Sequence, residues 1–283
     1  MGQRYGISIG NILHPTDFSR GSDVAFAHAL RLAVGAHGKL EILHVEREQT
    51  RAQWDSYPSV RTTLSRWKLL PSDAKRSDVA DLGVHISKSA CKGQEPLAGV
   101  LEHLEHRGAD LVVMATHQRE GLARLLHSSL AESVSNQSDA AALFVPYGVD
   151  GFVNVETGHV SLNRILVPID ATPDPQPVID AVSDLVTAIA QDDVEVRLLH
   201  IGDPSGMPAP TLPVNEKCHW KWESAVGSVV DAICEDAVQN EVDLIAMTTN
   251  GRDGFLDALR GSTTERVLQK AGCPVLSVHA AGR

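Results

Sequence analysis

The residues best placed to do chemistry lie in one stretch, from Thr248-Thr249-Asn250-Gly251-Arg252-Asp253-Gly254 to Gly261-Ser262-Thr263-Thr264-Glu265. A short apolar run, Asp243-Leu-Ile-Ala-Met247, leads into it, and Ser262-x-x-Glu265 closes it as a capping box. A helix is therefore expected to begin at Ser262. Glycines ahead of a helix start let the backbone approach a ligand closely, and the free amides there attract anions. The chemistry on offer is phosphate binding, with the Ser262 hydroxyl and the following amides as donors. A glycine-containing loop that only turns a strand into a helix has the same spacing.

A second copy of the stretch decides how much weight it carries. Asp110-Leu-Val-Val-Met-Ala115, Gly121 and Glu132 run in step with the Asp243 run, Gly254 and Glu265, each 133 positions earlier. An ungapped match through strand, loop and capping box marks an internal duplication. At 283 residues the chain then divides into two domains, 1–150 and 160–283, each long enough to bury its own core.

The elements that must position these residues repeat as well. Ile9 to Pro15 reads as a strand ending at Thr16-Asp17-Phe18-Ser19, followed by a helix from about Ser22. Leu40 to Val45 is a second strand, Val84 to Ile86 a third, and Leu97, Val100, Leu101 and Leu104 stripe a helix. Pro58 breaks the helical stretch between about Thr50 and Trp67. Ala142 to Val145 closes the unit, and Pro146 to about Leu162 is a turn-rich connector. Asn163 to Asp170 repeats strand one, Glu195 to Ile201 strand two, and Lys217 to Trp222 strand three, with Cys218, Trp220 and Trp222 on one face. Pro204, Pro208, Pro210 and Pro213 leave an irregular loop where the first half has its second helix. Val226, Val229, Val230, Ile233 and Ala237 stripe the next helix, and Cys273 to Val278 is the last strand. This alternation predicts an α/β fold with a five-stranded parallel sheet in each half. A ligand on such a sheet sits beyond the carboxyl ends of the strands where strand order reverses, which brings Asp17 or Asp170 to the glycine loop.

Composition excludes several classes. Apolar residues make up 43% and charged residues 22%, ordinary for a soluble globular protein, and no apolar run reaches membrane-spanning length. The start lacks a signal pattern, so a cytoplasmic location is expected. Lys and Arg number 16 against 17 Asp and Glu through Asp150, and 9 against 19 thereafter. An acidic second half with no basic stripe argues against nucleic acid as a partner. Cys91, Cys218, Cys234 and Cys273 form no CxxC pair and read as reduced, packed thiols, and no metal site is expected.

The residues also carry a family resemblance. The Thr16-Asp17-Phe18-Ser19 turn and the Leu-His-Val/Ile ends at Val45 and Ile201 resemble universal stress proteins. So do Ala115-Thr-His-x-Arg119 and Thr248-Thr-Asn-Gly-Arg252, each followed by a Ser-x-x-Glu helix start. The resemblance covers nearly the whole chain twice and implies a tandem universal stress protein. Its implied fold is a Rossmann-like sandwich of the adenine-nucleotide alpha-hydrolase type. Such domains pair through the last strand, here as a pseudo-two-fold pair within one chain, which leaves room for a homodimer.

The family's ATP-binding members carry G-x-x-G, nine residues, then G-(S/T). The second repeat keeps two of the three glycines, with Thr248 in the first place, then Gly251 and Gly261-Ser262. The resemblance implies that Asp170 contacts ribose or adenine, that Pro168 and Ile201 flank adenine, and that Thr248, Gly251, Gly261, Ser262 and Thr263 surround the phosphates. The first repeat has Ala115, Gln118 and Ser128-Ser129 there, so its phosphate loop is degenerate while Pro15, Asp17 and Val45 keep the adenosine contacts. The implied ligand is ATP, with or without Mg²⁺, bound in the second domain of a regulatory or sensing protein that is at most a slow ATPase. Nothing resembles a nucleophile–base pair or a Walker Lys.

Competing readings remain for each residue. Asp17 and Asp170 could cap the helices that follow them. His44 and His200 read as packed strand-end histidines. Arg252 and Arg260 could neutralise phosphate or pair with Asp253 and Asp257 on the surface. From another class, the chain could be a structural or interaction module with vestigial pockets, acting through oligomerisation with no cofactor.

Overall fold

The structure, a computed structural model, describes residues 9–46, 54, 57–92, 96–116, 140–249 and 263–280. The chain turns from β1 (Asn11–Pro15) into α1 (Arg20–Gly35) on side-chain acceptors. Thr16 Oγ1 accepts from the Phe18 amide at 3.1 Å and Asp17 Oδ1 from the Ser19 amide at 2.9 Å. Ser19 Oγ then accepts from the Ser22 amide at 3.3 Å. Ser19 is thus the N-cap, and the helix starts slightly ahead of the expected Ser22. Phe18 has a φ of 62°, strained for a residue with a Cβ. Its ring is held in exchange, at 4.2 Å from the His44 ring and 5.3 Å from that of Trp54.

The first half continues with β2 (Lys39–Glu46), α2 (Val60–Arg66), α3 (Arg76–Asp81), β3 (His85–Lys92), α4 (Pro96–Arg107), β4 (Leu111–Thr116) and β5 (Ala141–Pro146). The second half runs β6 (Arg164–Ile169), α5 (Gln176–Ile189), β7 (Val194–Ile201), β8 (Cys218–Ala225), α6 (Val229–Gln239), β9 (Leu244–Thr249), α7 (Thr263–Leu268) and β10 (Val275–His279). As expected, Pro58 precedes a short helix, and the proline-rich segment holds only a 3-10 turn, Pro204–Gly206, before running irregularly to β8.

The ten strands among the described residues form one sheet in the order β3-β2-β1-β4-β5-β10-β9-β6-β7-β8. Each half is a parallel sheet with the same internal order, and the two join where β5 and β10 run antiparallel, Phe144 opposite Val275 and Leu143 opposite Leu276. The pairing is the in-chain version of the expected two-fold pair. Its strands are the most sheltered for a physical reason: β5 is buried at every position and β10 at all but His279, because helices cover both faces at the centre. Edge strands β3 and β8 are largely exposed. One face carries α1, α2 and α5 and the other α4 and α6, each over its own apolar cluster. Helices α1 and α5 meet across the two-fold so closely that a Cβ on Gly35 would collide with the Ala188 carbonyl.

Four details differ from expectation. Helix α3 lacks the apolar stripe that would have revealed it, since only Val79 among its residues is buried. Strands β3 and β8 run further than their apolar cores. Val226 is 86% exposed and precedes α6, and Val229 is 44% exposed, so the inward stripe begins at Val230 and continues through Ile233 and Ala237. The connector is also more than turns. Phe152 and Val153 are fully buried, and Val153 bridges Val160. His28 Nε2 accepts from the amides of Phe152 and Val153 at 3.1 and 3.2 Å, which leaves Nδ1 to donate to the Val24 carbonyl at 2.8 Å. Gly151, with a φ of 68°, lets the chain pass where a Cβ would strike the His28 ring.

Candidate functional site

Strand order reverses at β6, which has β7 on one side and β9 on the other in parallel register. Beyond the carboxyl ends of these strands lies a cleft of about 300 Å³. Five of the residues singled out from the sequence line it together: Pro168 and Asp170 from the end of β6, Ile201 from β7, Thr248 from β9 and Thr263 from α7. Gly251, Gly261 and Ser262 lie outside the described residues, as do Arg252 and Arg260.

The cleft's walls also include residues that the motif spacing did not mark. Thr172, Pro173 and Pro175 come from the turn after β6, Val229 and Ile233 from α6, and Met247 from β9. The apolar stripe of α6 was legible, but not that its first turn overhangs this cleft. Asp170 is the only ionisable side chain among the described lining residues. Its Oδ1 accepts from the Ala171 amide at 2.7 Å. Helix α5 starts later, with Pro175 at its N-cap, and Ser19 caps α1, so neither Asp170 nor Asp17 caps the helix that follows it. The Thr248 hydroxyl is buried against the cleft with no hydrogen-bond partner among the described residues. A native buried hydroxyl left in that state implies a partner from elsewhere.

His200 is 5% exposed, with Nδ1 3.3 Å from the Ile169 carbonyl and Nε2 3.1 Å from that of Asp203. It ties β7 to β6 under the cleft, and His44 makes the matching contact with the Thr16 carbonyl at 2.8 Å. Both histidines are packed strand-end residues, as their sequence positions suggest.

In the first half, Pro15, Asp17, Val45 and Ala115 occupy matching strand ends, while Gln118, Ser128 and Ser129 lie outside the described residues. The two halves differ at one point. Val45 is 7% exposed, and Gly99 of α4 presses on it so closely that a Cβ there would come within 2.8 Å of Val45 Cγ1. Its counterpart Ile201 is only half-buried and opens onto the cleft. The thiols offer no nucleophile: burial pushes Cys218 up to about 11 and Cys273 up to about 12. No cluster of three metal-ligating side chains occurs among the described residues.

A model of the universal stress protein family matches residues 8–146 and 214–279, which is most of the sequence, and the chain belongs to that family. A universal stress protein of Methanocaldococcus jannaschii is 27% identical over 149 residues, covering 44% of this chain and 86% of that protein. Among solved structures, a universal stress protein from Archaeoglobus fulgidus matches at TM-score 0.56 and 18% identity, covering 99% of this chain and 100% of that one. A putative universal stress protein from Pseudomonas aeruginosa UCBPP-PA14 matches at TM-score 0.59 and 14% identity, covering 96% and 94%. These structures share the α/β, Rossmann-like fold along the full tandem length.

Proposed function

We propose that the second-half cleft holds an adenine nucleotide, ATP ahead of others and with or without Mg²⁺, and that the chain senses or regulates in a stress response. Residues 1–150 and 160–283 act as the two domains, of which the first keeps a degenerate site. The observation that carries this reading is the placement of Asp170, Pro168, Ile201, Thr248 and Thr263 around one cleft. The Thr248 hydroxyl, without a partner among the described residues, supplies a donor for an acceptor on a ligand. Packing of Gly99 over Val45 supports the choice of the second half, because the adenine wall of the first is covered. Among the described residues the cleft offers threonine hydroxyls and the Asp170 carboxylate as polar groups for a ligand. The reading includes a cytoplasmic setting; no helix among the described residues is long and apolar enough to cross a membrane.

Calorimetric titration with ATP·Mg tests it. Ile201→Trp and Gly261→Trp are each expected to weaken binding at least tenfold, about 1.4 kcal/mol, by filling the adenine wall and the phosphate loop. Gln118→Trp is expected to bind like the wild type. Loss of binding in Gln118→Trp alone would move the site to the first half, and no heat from the wild type would favour the interaction-module reading.

A further inference from the structure

A second cavity, of about 320 Å³, lies where α1, α2 and the connector meet and shares no lining residue with the nucleotide cleft. Its size falls at the small end of ligand pockets, which run about 300–1,000 Å³. Phe26, Pro58 and Val155 give it apolar walls, and Thr62 and Asp23 stand among its polar ones. Arg66 also lines it but is already engaged, with Glu156 at 3.1 Å and the Val155 carbonyl at 2.9 Å. The Asp23 carboxylate has no hydrogen bond or ion pair among the described residues, although Arg20 and Asp17 act on it through space. Behind this wall lies Tyr57, only 5% exposed and not itself lining the cavity. Tyr57 packs edge-on against Phe26 at 5.2 Å and backs that side of the wall.

These features have a common explanation. A half-buried carboxylate without a partner is costly. Asp23 stands on a cavity with apolar walls at Phe26, Pro58 and Val155, and the only cation among its described lining residues is spent on Glu156. We propose that this cavity binds a small primary amine with an apolar body, its ammonium on Asp23 and its body against Phe26 and Val155. An ammonium brings three donors and a positive charge to the carboxylate. Aromatic Phe26 adds a ring whose face attracts cations. The occupant would bridge α1 to the connector, since Val155 belongs to the segment that leads into the second half. This site is separate from the nucleotide cleft and does not depend on it.

The test uses phenethylamine, with 2-phenylethanol as its uncharged isostere, titrated calorimetrically into the full chain at 150 mM salt to screen the acidic surface. The expected result is saturable binding of the amine, at least tenfold tighter than the alcohol. Asp23→Asn is expected to weaken the amine at least tenfold and leave the alcohol unchanged. Thr62→Trp, on an exposed position of the cavity wall, is expected to abolish both, while Ile201→Trp changes neither. Circular dichroism confirms that each variant is folded, and Thr62→Trp stands as the second probe should Asp23→Asn lower stability. Equal affinity for amine and alcohol, an unchanged amine affinity in both Asp23→Asn and Thr62→Trp, or no saturable binding to the wild type would each overturn the proposal.

Discussion

Acidifying the protein from pH 6.5 to pH 4 is expected to remove on the order of 3 kcal/mol of folding stability for each of two buried imidazoles, His14 and His28. Both are fully buried, and desolvation holds each at about 4, below the ordinary 6.5. The opposing contributions are smaller: backbone carbonyls Val113 for His14 and Val24 for His28 favour the charged rings, and Asp17 does so for His14. The direction follows from proton counting. Between pH 6.5 and 4 the unfolded chain protonates both rings while the folded chain resists, so the unfolded state binds more protons and stability falls as pH falls. Above 6.5 the contribution is complete, and below 4 it no longer changes. His28 adds a structural reason, because its Nε2 is an acceptor for two connector amides and a proton there would turn an acceptor into a third donor. Asp23 pulls the other way, since burial holds its carboxyl above the usual range. Urea midpoints measured at pH 7 and pH 4.5 check the prediction, with His28→Gln as the control. The variant should show about half the acid loss of the wild type. An acid profile identical in the two would refute the assignment to His28.

Phe152→Ala is expected to cost about 3–5 kcal/mol at neutral pH, although it changes a residue in a segment that looks like a linker. Phe152 is fully buried in the cluster that also holds Phe26, Val153 and residues of α5, so truncation leaves a cavity between elements of both halves. Its ring also meets the His28 ring edge-on at 4.6 Å, an arrangement lost with it. The connector therefore belongs to the core, and its removal should loosen both halves together. Chemical denaturation of the variant against the wild type reads the cost directly, and a shift within about 0.5 kcal/mol, typical of surface positions, would return the segment to the status of a linker.

Much of this molecule was readable in one dimension. The offset of 133 positions marked the duplication, apolar runs bounded by turn residues located the strands, and the tetrapeptide at Thr16–Ser19 fell where a turn was needed. Those signals are local: a period, a cap and a breaker act within a few residues of themselves, and a sequence displays them at full strength. Pro168, Asp170 and Ile201 were legible as strand-end residues for the same reason, because apolar runs and the turns that end them are local signals.

What needed three dimensions involves partners far apart in sequence. Helix α3 was missed because a helix with one buried side chain leaves no stripe. Val226 counts as apolar in any window, yet the Ser228 cap starts α6 after it and leaves it in solvent. The phosphate-loop residues Gly251, Gly261 and Ser262 lie outside the described residues, so their reading still rests on spacing alone.

The sequence by itself determined that this is an α/β chain of the universal stress protein family built from two similar halves. Only the tertiary structure decided that Phe144 faces Val275 in one continuous sheet, that the connector's Phe152 is core, and that Gly99 covers Val45 while Ile201 stays open. Identical periodicities specify two similar halves, but which surfaces are sealed depends on side-chain volumes meeting across more than fifty residues of chain. Close packing registers differences of a single methyl group that no repeat pattern carries.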